Sequence, residues 1–102
     1  MSTLHTVNKS PFATNALASC LNHAKDGDTI LLIEDGVYGA ATGTTLADTV
    51  TAKVGALSIC VLSGDISARG IDQKRLIKGV TSVDYTGFVK LAASHDRSQA
   101  WL

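Results

Sequence analysis

Apolar and polar positions along the chain alternate between strand-like and helix-like spacing. Ile30 to Ile33 is an unbroken apolar run, as expected of a central strand covered on both faces, where a strand with one wet face would alternate. Leu57 to Leu62 is nearly continuous in the same way and contains Cys60. Leu4 to Val7 and Val80 to Val83 predict two further short strands. The terminal residues Gln99 to Leu102 predict a last strand or a docked tail, because Trp101 and Leu102 are costly to leave in water.

Between the strands the spacing is helical. Ala13, Ala16, Leu17, Cys20, Leu21 and Ala24 recur at three and four residues, so they form one stripe facing a sheet. Ser10 is placed as the N-cap of that helix and Pro11 as its first residue. Lys25, Asp26, Gly27 and Asp28 end it, with Gly27 as the left-handed residue. A second helix runs from about Thr45 to Val54, presents Leu46, Ala47, Val50 and Val54, and stops at Gly55. Residues 65–80, broken by Gly70 and Gly79, read as short helical turns and loop. Asp84 caps a helix to about Ala93 whose inner face is Phe88, Val89, Leu91 and Ala92. The fold class is therefore α/β, a three-layer α/β/α sandwich with a mostly parallel sheet of about five strands.

Polar groups gather where the strands end. The central strand runs into Glu34, Asp35 and Gly36, and the next into Ser63, Gly64 and Asp65. In open α/β sheets the carboxyl ends of the strands are where ligands and partners are met. One functional rim is expected there.

Composition narrows the class. With 102 residues, the chain is read as a single domain over residues 1–102, large enough to fold without a metal or disulfide. An apolar share of 45% against 18% charged is high for so small a monomer and points to a subunit interface. The formal net charge is zero, which argues against direct nucleic-acid binding, since holding phosphates needs clustered Lys and Arg. The charge is uneven along the chain: residues 1–51 hold two Lys against five Asp and Glu, and residues 52–102 hold seven Lys and Arg against four Asp. A signal peptide and a membrane helix are both absent from the pattern, so a cytoplasmic protein is expected. Cys20 and Cys60 would there be reduced thiols. Neither forms a Cys-x-x-Cys pair, and His5, His23 and His95 lack metal-ligand spacing, so no metal is expected.

Few residues offer chemistry. Gly36, Gly39 and Gly43 with Thr44 and Thr45 precede a helix and could cradle a phosphate, yet the Lys of a phosphate loop and the dinucleotide fingerprint are both missing. A packed loop is the plain alternative. Glu34 and Asp35 could pair as acid and base, but neighbours on a strand point to opposite faces, and a turn or helix-capping role suits Asp35. Cys20 is the candidate nucleophile: it sits at the edge of the apolar stripe, with Ser19 on the wetter flank and His23 three residues on. By spacing alone a buried, inert thiol is the better reading. Cys60, inside a strand, reads as structural. Arg69, Lys74, Arg75 and Lys78 form a basic group, usually a solvated surface, that could receive an acidic partner or RNA.

Several stretches together resemble one family. Leu4-His-Thr-Val-Asn-Lys-Ser-Pro-Phe12, Ile33-Glu-Asp-Gly-Val-Tyr38, Asp65-Ile-Ser-Ala-Arg-Gly70, Val83-Asp-Tyr-Thr-Gly-Phe-Val89 and Gln99-Ala-Trp-Leu102 are similar, in order and over essentially the whole chain, to the DsrH/TusB family of sulfur-relay subunits. The resemblance implies a DsrE-like α/β fold and a place in a heterohexamer with DsrE/TusD-like and DsrF/TusC-like subunits, two copies of each. That complex passes persulfide sulfur between proteins without a cofactor, toward a DsrC/TusE-like carrier, and its main sulfur-accepting cysteine belongs to the DsrE/TusD partner. One branch serves dissimilatory sulfur oxidation and the other 2-thiolation of the tRNA wobble uridine. A cysteine in the first helix is associated with the DsrH branch, so Cys20 favours sulfur oxidation, with TusB-like tRNA thiolation as the alternative. A flavodoxin-like small-molecule or nucleotide module is the rival from another class.

Overall fold

The computed structural model describes residues 2–102. Five strands, β1 (Thr3–Val7), β2 (Thr29–Leu32), β3 (Ser58–Leu62), β4 (Thr81–Val83) and β5 (Arg97–Trp101), form one sheet in the order β4-β3-β2-β1-β5. Every pairing is parallel. The chain steps from β1 outward to β4 and then returns across the sheet to place β5 beside β1. That return puts the last strand where the sequence left a choice between a strand and a docked tail.

Four α-helices connect the strands: α1 (Ala16–His23), α2 (Ala47–Lys53), α3 (Ser63–Ala68) and α4 (Tyr85–Ser94). Strand alternation divides the core between the two faces of the sheet. On one face Val7, Ile30, Leu32, Ile59 and Val61 meet Leu17, Cys20 and Leu21 of α1, Val50 of α2 and Ile66 of α3. On the other, Leu4, Leu31 and Cys60 meet Phe88 and Leu91 of α4, with Ile33 and Val83 at the margin. The layers are three, as expected, but very unequal. Among the described residues, no helix is long and apolar enough to cross a membrane.

Local chemistry explains where the structure departs from the sequence pattern. The first helix begins at Ala16, not at Pro11. The Ser10 carbonyl accepts the N–H groups of Ala13 and Thr14 in a turn, and the Ser10 hydroxyl accepts the Phe12 N–H. Ser10 thus closes a turn that carries Phe12 outward, 64% exposed. The helix ends as the sequence predicts, with Gly27 at φ 91°. Asp84 caps α4 as expected, accepting the Gly87 N–H at 2.8 Å. The inner face of α4 is narrower than predicted, however: Phe88 and Leu91 pack, while Val89 is 52% exposed and Ala92 faces solvent. Leu102, expected to be hidden, is exposed.

Candidate functional site

The carboxyl rim is built from the segments that follow β1, β2 and β3. After β2 the chain enters a 3₁₀ helix, Glu34–Ala40, with Gly36, Val37, Gly39 and Ala40 buried. A Cβ at Gly36 would overlap the carbonyl oxygen of Val7, so only glycine lets this segment lie against the end of β1. Gly36 and Gly39 are thus packed against β1 and α1, whereas Gly43 stands in open space at φ 82°. The helix it precedes, α2, starts only at Ala47 and has seven residues.

The entry to this segment is held by α3. Glu34 takes a left-handed conformation at φ 50°, uncommon for a residue with a side chain. Its N–H donates to Asp65 Oδ2 at 2.7 Å, so the first residues of α3 fix the turn. Arg69 closes the arrangement, donating from Nε to Asp35 Oδ1 at 2.9 Å and from Nη1 to the Asp65 carbonyl at 3.3 Å. Asp35 thus pairs with an arginine; it does not cap the helix as the sequence suggested. The hydrogen bond that Arg69 donates to Asp35 raises the Arg69 pKa above its ordinary value. Glu34, Asp35, Asp65 and Arg69 form one partly exposed lattice, with a small contribution to stability.

Beside that lattice lies an open cleft of about 400 Å³. Phe12, Tyr38, Ala41 and Ile71 supply apolar surface, and Arg69, Arg75 and Thr44 supply polar groups. The size falls within the range of small-ligand sites. Thr44 Oγ1 is buried without a hydrogen-bond partner among the described residues, an unpaired group costing about 1–3 kcal/mol. Phe12, Tyr38, Arg69 and Gly70, from three of the stretches that carry the family resemblance, converge on this cleft.

Neither cysteine lines it. Cys20 points into the core under α1 with no exposed surface, which corrects the expected wet flank: it shares the inner side of the helix with Leu17 and Leu21, packed on the sheet. Burial, with a smaller effect of the Asp28 charge, pushes the Cys20 thiol up to about 12. The resting group is a protonated thiol, and the thiolate is the nucleophilic form. Cys60, in β3, is buried and also shifted upward by burial. His23 lies against Trp101, with ring centroids 5.6 Å apart.

The opposite end of the sheet holds a polar network that sequence reasoning missed. His5, 2% exposed, donates from Nε2 to Asp28 Oδ2 at 2.9 Å and accepts at Nδ1 from the Trp101 indole N–H at 3.0 Å. Asp28 also accepts from the backbone N–H groups of Thr3 and Lys25. Burial pushes the Asp28 pKa up, but the hydrogen bonds from His5, Lys25 and Thr3 outweigh it and leave it at about 2. Both imidazole nitrogens and both carboxylate oxygens are occupied, so the network ties β1, β2 and β5 together. A signal existed in the sequence: a histidine inside a buried strand needs partners, and Asp28 stands at the start of the neighbouring strand. A second His, His95, joins Thr29 Oγ1 at 2.8 Å to the Leu91 carbonyl at 2.7 Å. Among the described residues, no group of three or more His, Cys, Asp or Glu could hold a metal ion.

Comparison with known proteins places this geometry. The family described as "DsrH like protein" matches residues 9–98. The chain is 34% identical to "Protein TusB" of Escherichia coli O81 (strain ED1a) over 98 residues, covering 96% of this chain and 99% of that protein. It is 32% identical to "Protein TusB" of Shigella flexneri with the same coverage. Among solved structures, the ychN protein of E. coli superposes with a TM-score of 0.82 at 16% identity, over 98% of this chain and 99% of the other. Protein MTH1491 of Methanobacterium thermoautotrophicum, whose function is given as unknown, superposes with a TM-score of 0.71 at 16% identity, over 94% and 95%. Those two likenesses concern the fold; the family follows from the sequence match, and this chain belongs to the DsrH/TusB family.

Proposed function

We propose that the chain is a TusB-like subunit of a cytoplasmic sulfur-relay complex that serves 2-thiolation of the tRNA wobble uridine. The observation that carries this reading is the end-to-end match to proteins named TusB, which leaves no part of the relatives unaccounted for beyond 1% of their length. The same match favours thiolation over the sulfur-oxidation branch suggested by Cys20. TusD-like and TusC-like sister subunits, two copies of each chain, and a TusE/DsrC-like carrier complete the proposed assembly.

The subunit's part is architectural. Its two thiols are buried, so sulfur would pass through a cysteine of a sister subunit, and this chain would shape the face that subunit presents. The weakly covered side of the sheet supports that role: α4 contains no fully buried residue, and its Tyr85 and Val89 are exposed at 71% and 52%. Apolar surface of this kind is what a subunit interface removes from water. Cys20 as a sulfur carrier is the second reading, and it requires α1 to open, because exchange needs an accessible thiolate.

Deletion of the gene, followed by mass spectrometry of tRNA nucleosides, tests both parts. Loss of 2-thiouridine, restored by a Cys20→Ser copy, supports an architectural thiolation subunit. Unchanged 2-thiouridine would remove the thiolation reading, and restoration by wild type but not by Cys20→Ser would move the sulfur onto Cys20.

A further inference from the structure

The cleft at the carboxyl rim has binding capacity that a purely architectural subunit leaves unused. Arg69 is held rigid by Asp35 and Asp65 through Nε and Nη1, which leaves Nη2 without a hydrogen-bond partner among the described residues. Arg75 is less committed: among the described residues its one side-chain hydrogen bond is from Nη2 to the Thr42 carbonyl at 3.5 Å, at the limit for such a bond. One carboxylate, Asp72, lines the cleft as well and keeps its negative charge. Asp35 holds Arg69, and Asp72 accepts the Lys74 N–H at 2.9 Å. Arg75 and the free edge of Arg69 thus set two guanidinium groups against the single charge of Asp72 in the cleft, next to the exposed ring of Phe12 and to Tyr38 and Ile71.

We propose that this cleft binds a small organic anion, its carboxylate or similar oxyanion paired with Arg75 and the free edge of Arg69, and its flat apolar body lying on Phe12, Tyr38 and Ile71. Planar guanidinium groups suit the two oxygens of such an anion. Apolar lining with a few placed polar groups is the usual make-up of a small-ligand site. The Thr44 hydroxyl gives the site an additional donor once its side chain rotates toward a bound acceptor. The inference does not depend on the sulfur-relay reading, since it rests on the cleft alone.

Titration of the full ¹⁵N-labelled chain with naphthalene-2-carboxylate, naphthalene-2-carboxamide and inorganic phosphate tests it. Saturable shifts of the Tyr38, Thr44, Gly70 and Ile71 amides are expected with the carboxylate. Binding should be roughly tenfold or more weaker for the uncharged carboxamide, for phosphate, and for the carboxylate on an Arg75→Ala chain, matching the loss of one charge-assisted contact or of the apolar one. Arg75 is exposed, so that variant should melt with the wild type. Absence of saturable shifts, equal binding of the carboxamide or of phosphate, or full affinity in a folded Arg75→Ala chain would each overturn the proposal.

Discussion

On one face of the sheet Val7, Ile30, Leu32, Ile59 and Val61 lie beneath three helices; on the other, Leu4, Leu31 and Cys60 lie beneath α4 alone. The first face interlocks side chains from α1, α2, α3 and the 3₁₀ segment, all at or near zero exposure. The second relies on Phe88 and Leu91, both only partly covered, and leaves Tyr85 and Val89 in water. Burial of apolar surface is the main favourable contribution to folding, so the first face holds the chain together and the second has surface left over. An assembling subunit divides its apolar residues in this way.

The contrast predicts unequal responses to mutation. Leu21, 1% exposed under α1, should cost about 3 kcal/mol as Leu21→Ala, from lost transfer energy and the cavity left behind, read from urea unfolding of the chain. A loss below about 1 kcal/mol would mean that the first face is not the rigid one.

Acid should have the next largest effect. The carboxyl of Asp28 titrates at about 2 in the folded chain against an ordinary 3.8, so the folded state holds its proton less tightly than the unfolded one. The resulting stability is present above pH 4 and is lost as pH falls toward 2, by about 2 kcal/mol in all. Unfolding measured at a series of pH values should show that loss, and Asp28→Asn should remove the slope. A slope unchanged in the variant would place the acid sensitivity elsewhere.

Much of this division could be read in the sequence, for physical reasons. Ile30 to Ile33 and Leu57 to Leu62 gave central strands because a stretch covered on both faces leaves no polar positions. Asp84 gave the start of α4 because its side chain can cap only a local N–H. Ser10 misled, because the same hydroxyl that caps helices also closes turns. Cys20 was ambiguous because one stripe boundary decides between core and surface, and the packing of α1 on the sheet settled its burial. The rim lattice was half visible: Asp35, Asp65 and Arg69 stood in the family-like stretches, but their pairing joins residues 34 positions apart. His5 with Trp101 spans 96 positions, a distance at which spacing carries no information. The asymmetry of the two faces also lay beyond the pattern, since it depends on the path of the β4 to β5 connection.

The smallest effect on the chain itself is expected at Val89, half-exposed on α4. Val89→Glu should leave unfolding of the isolated chain within about 0.5 kcal/mol of wild type, as for an exposed site. Its consequence belongs to assembly. The most direct measurement is retention of the two sister subunits by the immobilised chain, wild type against Val89→Glu. The account predicts that the wild-type chain retains both and that the variant, equally stable, loses at least one. Failure of the wild-type chain to retain either sister, or full retention by the variant, would contradict the claim that this subunit is completed by partners across the α4 face.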